Sequence, residues 1–190
     1  MSNEINWVYE HYLALNSPST PMSVGWSSKE TQWERFKVIF SFIENNSSIL
    51  DFGCGPGHLI DYINEINYNI EYCGIDINPK YISHAIQSYP GKKFICSDIE
   101  EVTERFDYVI GSGLFCWFIQ IDDVIRKIEF SYNLSKKGVI FNFLDKKSGL
   151  EPLNLYDVED MKVRLSHLGE VEVVEGYLGD EDFTIFLKKL

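Results

Sequence analysis

The chain is poor in cysteine, has no long apolar run and is short of basic residues, and each scarcity removes a class of function. Only four of its 190 residues are cysteines. These are Cys54, Cys73, Cys96 and Cys116, with no Cys-x-x-Cys pair among them, so neither a zinc site nor a disulfide framework is expected. Reduced thiols in or near core strands suit a cytoplasmic protein. No apolar stretch approaches the roughly 20 residues that a bilayer-spanning helix needs. Residues 1–10 are polar and acidic, without the cationic start and apolar run of a signal peptide. A membrane is therefore not an expected partner. Lys and Arg number 17 against 29 Asp and Glu, a net charge of −12. The lysines fall in scattered pairs (Lys92-Lys93, Lys136-Lys137, Lys146-Lys147), and nucleic acid, whose phosphates need neutralising, is not expected either.

What is present is enough apolar sequence, 45% of residues, to bury the core of one ordinary domain. Residues 1–46 read as a helical cap. Trp7, Val8, Tyr12 and Leu15 recur at helical spacing within 4–15. A breaker rich in Ser and Pro follows at 17–21. A second helix is expected from Ser27, with Glu30 as its capping-box partner and Trp33, Phe36, Val38, Ile39, Phe40 and Ile43 facing the core. Residues 47–190 then alternate between the two periods. Strands are expected at 48–53, 70–75, 93–97, 106–111 and 138–144, and helices at 57–67, 79–88, 122–133 and 157–168. Two last strands, 170–178 and 182–188, are joined by a turn. Repeated strand–helix units imply an α/β, doubly wound and mostly parallel sheet ending in an antiparallel hairpin.

In such a sheet a ligand binds beyond the carboxyl ends of the strands, so the residues after each strand form a site list. After the first come Asp51 and a turn with Gly53, Gly55 and Gly57, where bare backbone N–H groups can meet a ligand. The spacing is Gly-x-Gly-x-Gly, and His58 stands where a dinucleotide fingerprint would place its last glycine. This turns the reading from NAD towards S-adenosylmethionine. Asp76, 19 positions past Gly57, suits a carboxylate that accepts both ribose hydroxyls, with Ile77 beside it; Asn78 is the better-placed cap for the helix opening at Pro79. Asp98 can accept from an adenine amino group, and Ile99 offers the ring an apolar contact. Ser112 and Gly113, after the fourth strand, suit close approach to the methionine part of the cofactor.

The runs Ile-Leu-Asp-Phe-Gly-Cys-Gly-Pro-Gly-His from Ile49, Tyr-Cys-Gly-Ile-Asp from Tyr72, Phe-Ile-Cys-Ser-Asp-Ile from Phe94 and Phe-Asp-Tyr-Val-Ile-Gly-Ser-Gly from Phe106 resemble the motifs of class I S-adenosylmethionine-dependent methyltransferases. The resemblance covers about residues 47–145. It implies a seven-stranded sheet, and Gly53, Gly55 and Gly57 around the cofactor's amino-acid end. It also implies Asp76 on ribose and Asp98 with Ile99 at adenine. Gly-Ser-Gly-Leu stands after the fourth strand instead of Asn-Pro-Pro-Tyr, which argues against amino-methylation of adenine or glutamine. The Gly25-Trp26 pair with Gln32, Arg35 and Phe36 is similar to a small uncharacterised bacterial group within that family. So are Phe141-Asn142-Phe143-Leu144 and Asp182-Phe183-Thr184. Trp26, Gln32 and Arg35 thereby join the expected cofactor residues; Gln32 and Arg35 share a helix face, and the Arg fork suits a carboxylate.

Methyl transfer from a sulfonium is an in-line displacement needing alignment more than a protein nucleophile. No base stands out. His11, Tyr12 and Asn142 are weak catalytic candidates, His58 lies in the glycine loop, and His84 and His167 suit helix surfaces. Tyr9, Tyr12, Phe115 and Trp117 are expected to face the acceptor. The expected activity is methylation of an O or N atom of a small molecule, a sugar or natural-product intermediate, by a monomer or homodimer. The alternatives are a non-catalytic S-adenosylmethionine sensor or partner subunit, an RNA or protein methyltransferase, and a nucleotide-dependent oxidoreductase.

Overall fold

The computed structural model describes residues 11, 14, 16–117, 119–150 and 152–189. The helix expected at 4–15, with Tyr9 and Tyr12, lies outside them apart from His11 and Ala14, which are helical and exposed. The first complete helix, α1 (Lys29–Phe40), starts one residue later than expected: Ser28 is the N-cap and accepts from the Thr31 N–H, so Thr31 occupies the third position in place of Glu30.

The strands β1 (Ser48–Phe52), β2 (Glu71–Asp76), β3 (Lys93–Cys96), β4 (Phe106–Gly111) and β5 (Ser135–Leu144) are parallel. They alternate with α2 (Leu59–Glu65), α3 (Pro79–Ser88) and α4 (Ile121–Leu134), and α5 (Val158–Leu165) precedes the last strand run. Helix α2 starts two residues later than expected because Gly57, at φ +91°, is outside helical space. Asn78 caps α3 by accepting from the Lys80 N–H, with Pro79 at the first helical position.

The sheet order is β3-β2-β1-β4-β5-β6, where β6 is the extended run Glu170–Lys188. Its second half pairs antiparallel with β5, Asp182 opposite Leu144 through Lys188 opposite Gly138. A straight run of 19 residues would span roughly 60 Å. Instead Gly169 lies against the Lys188 carbonyl and the Tyr177 hydroxyl bonds the Thr184 hydroxyl at 2.9 Å. The run therefore doubles back, with Gly176 and Gly179 in left-handed conformation, and supplies the antiparallel hairpin that makes seven strands.

Side-chain alternation builds two cores. Leu50, Phe52, Val109, Val139 and Phe141 pack on the face covered by α4 and α5; Ile49, Tyr108, Ile110 and Ile140 pack on the face covered by α1 and α2. Strand order reverses between β1 and β4, which opens a crevice at their carboxyl ends.

Candidate functional site

The crevice is a cavity whose empty volume, open mouth included, is about 790 Å³, within the range of small-molecule and cofactor sites. Its floor is the β1 turn, with Asp51, Gly53, Cys54, Gly55 and His58. Asp76 and Ile77 close the β2 side and Ser112, Gly113 and Leu114 the β4 side, while Trp26, Gln32 and Phe36 come down from the amino-terminal segment. Gly53 and Gly55 have φ of +75° and +54°. A Cβ on Gly53 would strike Leu114 and one on Gly55 would press on Val24, so both walls rest on bare backbone. Gly57 does a different job from the one expected: its space is taken by the rings of Tyr89 and Phe94, and it does not line the cavity.

Two carboxylates face this space, Asp51 buried and Asp76 half-buried. Asp76 accepts from the Gly55 N–H at 2.9 Å and the Asn78 N–H at 2.8 Å, one on each oxygen, with the Ile77 N–H also directed at it, and keeps acceptor capacity for a ligand hydroxyl. Burial pushes its pKa up to about 6 against the pull of those N–H groups. Asp51 accepts from the Tyr72 hydroxyl at 2.8 Å, and burial raises it to about 7. Neither carboxylate has a Lys or Arg on the cavity wall to balance it, among the described residues.

His58 is held as a neutral ring. Its Nε2 lies 2.8 Å from the Pro18 carbonyl, so that nitrogen carries the proton, and Nδ1 accepts from the Gln32 amide at 3.3 Å. Burial pushes its pKa down, which keeps the ring neutral. With both nitrogens engaged, His58 is a positioning group for Gln32 and not a free base.

Several expected residues are placed elsewhere. Arg35 is buried, with its fork closed on Asp182 through Nε and Nη2 and its Nη1 on the Thr31 carbonyl at 3.0 Å; three of its five N–H donors are held within the protein and it does not line the cavity. Asp98 is gripped by Lys127 Nζ at 2.7 and 2.9 Å, and neither it nor Ile99, fully buried, lines the cavity. Phe115 is core, packed on Phe52, Phe141 and Phe143, because its position after β4 points under the sheet end. Trp117 is half-buried and off the cavity wall. Asn142 donates to Asp182 and accepts from Gly113, so it is bonded within the protein.

The reading by strand ends missed Tyr81, which lines the cavity from α3 and donates to the Ser23 carbonyl at 2.5 Å. It also gave Asp182 no role beyond opening the strand 182–188. Asp180 and Glu181 are exposed, whereas Asp182 is 2% exposed. The signal was its place at the head of the apolar run from Phe183 to Leu187, in a strand that buries both faces.

Comparison with known proteins agrees with this geometry. A family model described as a methyltransferase domain matches residues 50–140. The chain is 28% identical over 164 residues to Rv1506c of Mycobacterium tuberculosis, a protein named as a methyltransferase, covering 75% of this chain and 93% of that one. Its fold is like that of PH0226 from Pyrococcus horikoshii OT3, with a TM-score of 0.74 at 15% identity over 94% of this chain and 99% of the other. It is also like the N-methyltransferase NodS from Bradyrhizobium japonicum WM9, solved with S-adenosyl-L-homocysteine. There the TM-score is 0.72 at 15% identity, over 97% of each chain.

Proposed function

Since the chain belongs to the class I S-adenosylmethionine-dependent methyltransferases, we propose that it methylates an oxygen or nitrogen atom of an uncharged or cationic small molecule, such as a sugar hydroxyl or an amine. The observation that carries this reading is the charge around the cavity. Asp51 and Asp76 stand there without a basic neighbour on the described walls, and residues 1–28 contain no Lys or Arg at all. An anionic acceptor would meet uncompensated carboxylates at short range in a low-dielectric site, which is repulsive. The same charge disfavours RNA.

The residues present fit the cofactor. Asp76 keeps acceptor capacity where ribose hydroxyls are expected, and Asp51 offers a carboxylate for an ammonium group; the Gly53, Cys54 and Gly55 N–H groups are bonded within the protein, to the Ile75 carbonyl at 2.8 and 2.9 Å and to Asp76. When bound, S-adenosylmethionine supplies an electrophilic methyl on a positively charged sulfur. The protein's part is to bind, orient and exclude water, with Trp26, Gln32 and Phe36 of the amino-terminal segment covering the cavity. With Asp51 and Asp76 given to the cofactor and His58 bonded on both nitrogens, no further base lines the cavity among the described residues, which suits an acceptor that attacks through its own lone pair.

The test is titration with S-adenosylmethionine and NAD, followed by release of S-adenosylhomocysteine over a panel of amines, alcohols, carboxylates and phosphates. Binding of S-adenosylmethionine alone is expected, with turnover among the amines and alcohols. Preference for NAD would overturn the cofactor, and a carboxylate or phosphate as best acceptor would overturn the acceptor class.

Affinity should depend on pH in a definite direction. Asp51 at about 7 and Asp76 at about 6 lie above their unfolded values, so the ligand-free fold holds these protons more tightly than the unfolded chain. Their contribution to stability is present at low pH and falls as pH rises from roughly 4 to 7. A cationic ligand favours the ionised forms. Binding should therefore tighten about tenfold or more between about pH 5.5 and 8, with proton release detectable by calorimetry in buffers of different ionisation enthalpy. Affinity that is flat or falls over this range would show that neither carboxylate meets the ligand.

A further inference from the structure

We propose that Asn142 is a positioning residue for the cofactor site: set by Asp182 and Arg35, its amide fixes the Gly113 wall of the cavity. The proposal rests on the S-adenosylmethionine reading above. The donor logic is forced by the partners. The Gly113 N–H can only donate, so the oxygen 2.8 Å from it is Asn142 Oδ1. That turns Nδ2 towards Asp182 Oδ2, an acceptor at 2.9 Å. The same carboxylate takes the Arg35 fork, and the Arg35 guanidinium lies 4.0 Å from the centre of the Trp26 ring. Trp26 in turn rests on Gly113 so closely that a Cβ there would overlap its ring, and Gly113 stands at φ +69°.

Gly113 is thus gripped from both sides, by the Asn142 amide behind and by the Trp26 ring in front. Both grips are anchored on one buried ion pair that joins α1 to the carboxyl-terminal hairpin. Arg35, Asn142 and Asp182 are each about 2% exposed, so solvent does not compete for these bonds and the geometry is firm. Neither the glycine loop nor Asp76 takes part. The relay is therefore separate from the ribose contacts while ending on the same cavity.

The test uses S-adenosylhomocysteine as the probe and the ratio of variant to wild-type Kd, which cancels the titration of Asp51 and Asp76 common to both proteins. In N142D the donor towards Asp182 becomes a carboxylate oxygen. At about pH 8 the two carboxylates repel and the wall is displaced; at about pH 5.5 the introduced carboxyl takes up a proton and again donates to Asp182 while accepting from Gly113. The groups facing this pair are Arg35 from α1, Glu181 at 3.8 Å from Arg35, Cys116, pushed up to about 12 by burial and then by Asp182, and Tyr177, also raised. The thiol and phenol stay neutral throughout.

The expected result is a Kd ratio of about ten or more at the higher pH that shrinks several-fold at the lower. N142L, similar in size and unable to bond either partner, should bind weakly at both. A ratio near one for N142D, or an equal loss at both pH values in protein folded by near-ultraviolet circular dichroism, overturns the relay. If N142D does not fold, a folded N142L with wild-type Kd does the same. Failure of the wild-type protein to bind the probe would instead overturn the cofactor reading.

Discussion

Replacing Asp76 with alanine should weaken S-adenosylmethionine binding by about 100-fold while leaving the protein folded. Each charge-assisted hydrogen bond is worth about 1.5–3 kcal/mol, and two ribose hydroxyls reaching the Asp76 carboxylate give about 3 kcal/mol or more, two decades in Kd. The variant also frees the Gly55 and Asn78 N–H groups, which Asp76 now accepts at 2.9 and 2.8 Å, so the β1 turn loses its brace against β2. D76N, which keeps one acceptor oxygen, should fall between wild type and D76A. Calorimetric titration at about pH 8 reads all three, and D76A with wild-type affinity would mean that ribose lies elsewhere.

The second large effect is on stability. D182A should lower it by about 3–5 kcal/mol, because it strands the Arg35 guanidinium in the interior without a counter-charge. For a chain of this size that is a fall in Tm of roughly 6–20 °C. Arg35 would keep the Thr31 carbonyl and only a distant contact to the exposed Glu181. The double variant R35M/D182L, which removes both charges and refills the volume, should recover much of the loss. Thermal unfolding monitored by circular dichroism distinguishes the cases; a D182A midpoint within about 2 °C of wild type would show that the pair does not hold the hairpin to α1.

The two predictions fall on opposite sides of what could be read in advance. The place of Asp76 on the cavity wall was legible because it follows from local order: the residue ends a strand, a fixed distance past a glycine turn. Element boundaries were similarly local, and erred by a residue or two where a cap or a left-handed glycine decided the start, as at Ser28 and Gly57. Arg35 was misread because the sequence around it shows only a cation one helical turn from Gln32. Its partner, Asp182, is 147 positions away, at the edge of an acidic turn. Asp98 failed in the same manner, since Lys127 reaches it from a helix 29 positions on.

The sequence by itself determined the fold class, the order of strands and helices, the place of the cavity at the β1 turn and the cofactor. Those properties come from periodicity, glycine placement and neighbours close along the chain. Tertiary structure alone decided which charged groups are free to meet a ligand. A carboxylate or guanidinium is available only if no buried partner claims it, and the claimants here arrive from distant strands and helices. Packing thus withdrew Arg35 and Asp98 from the list, left Asp51 and Asp76 unbalanced in the cavity, and set Asn142 behind the glycine turn as its support.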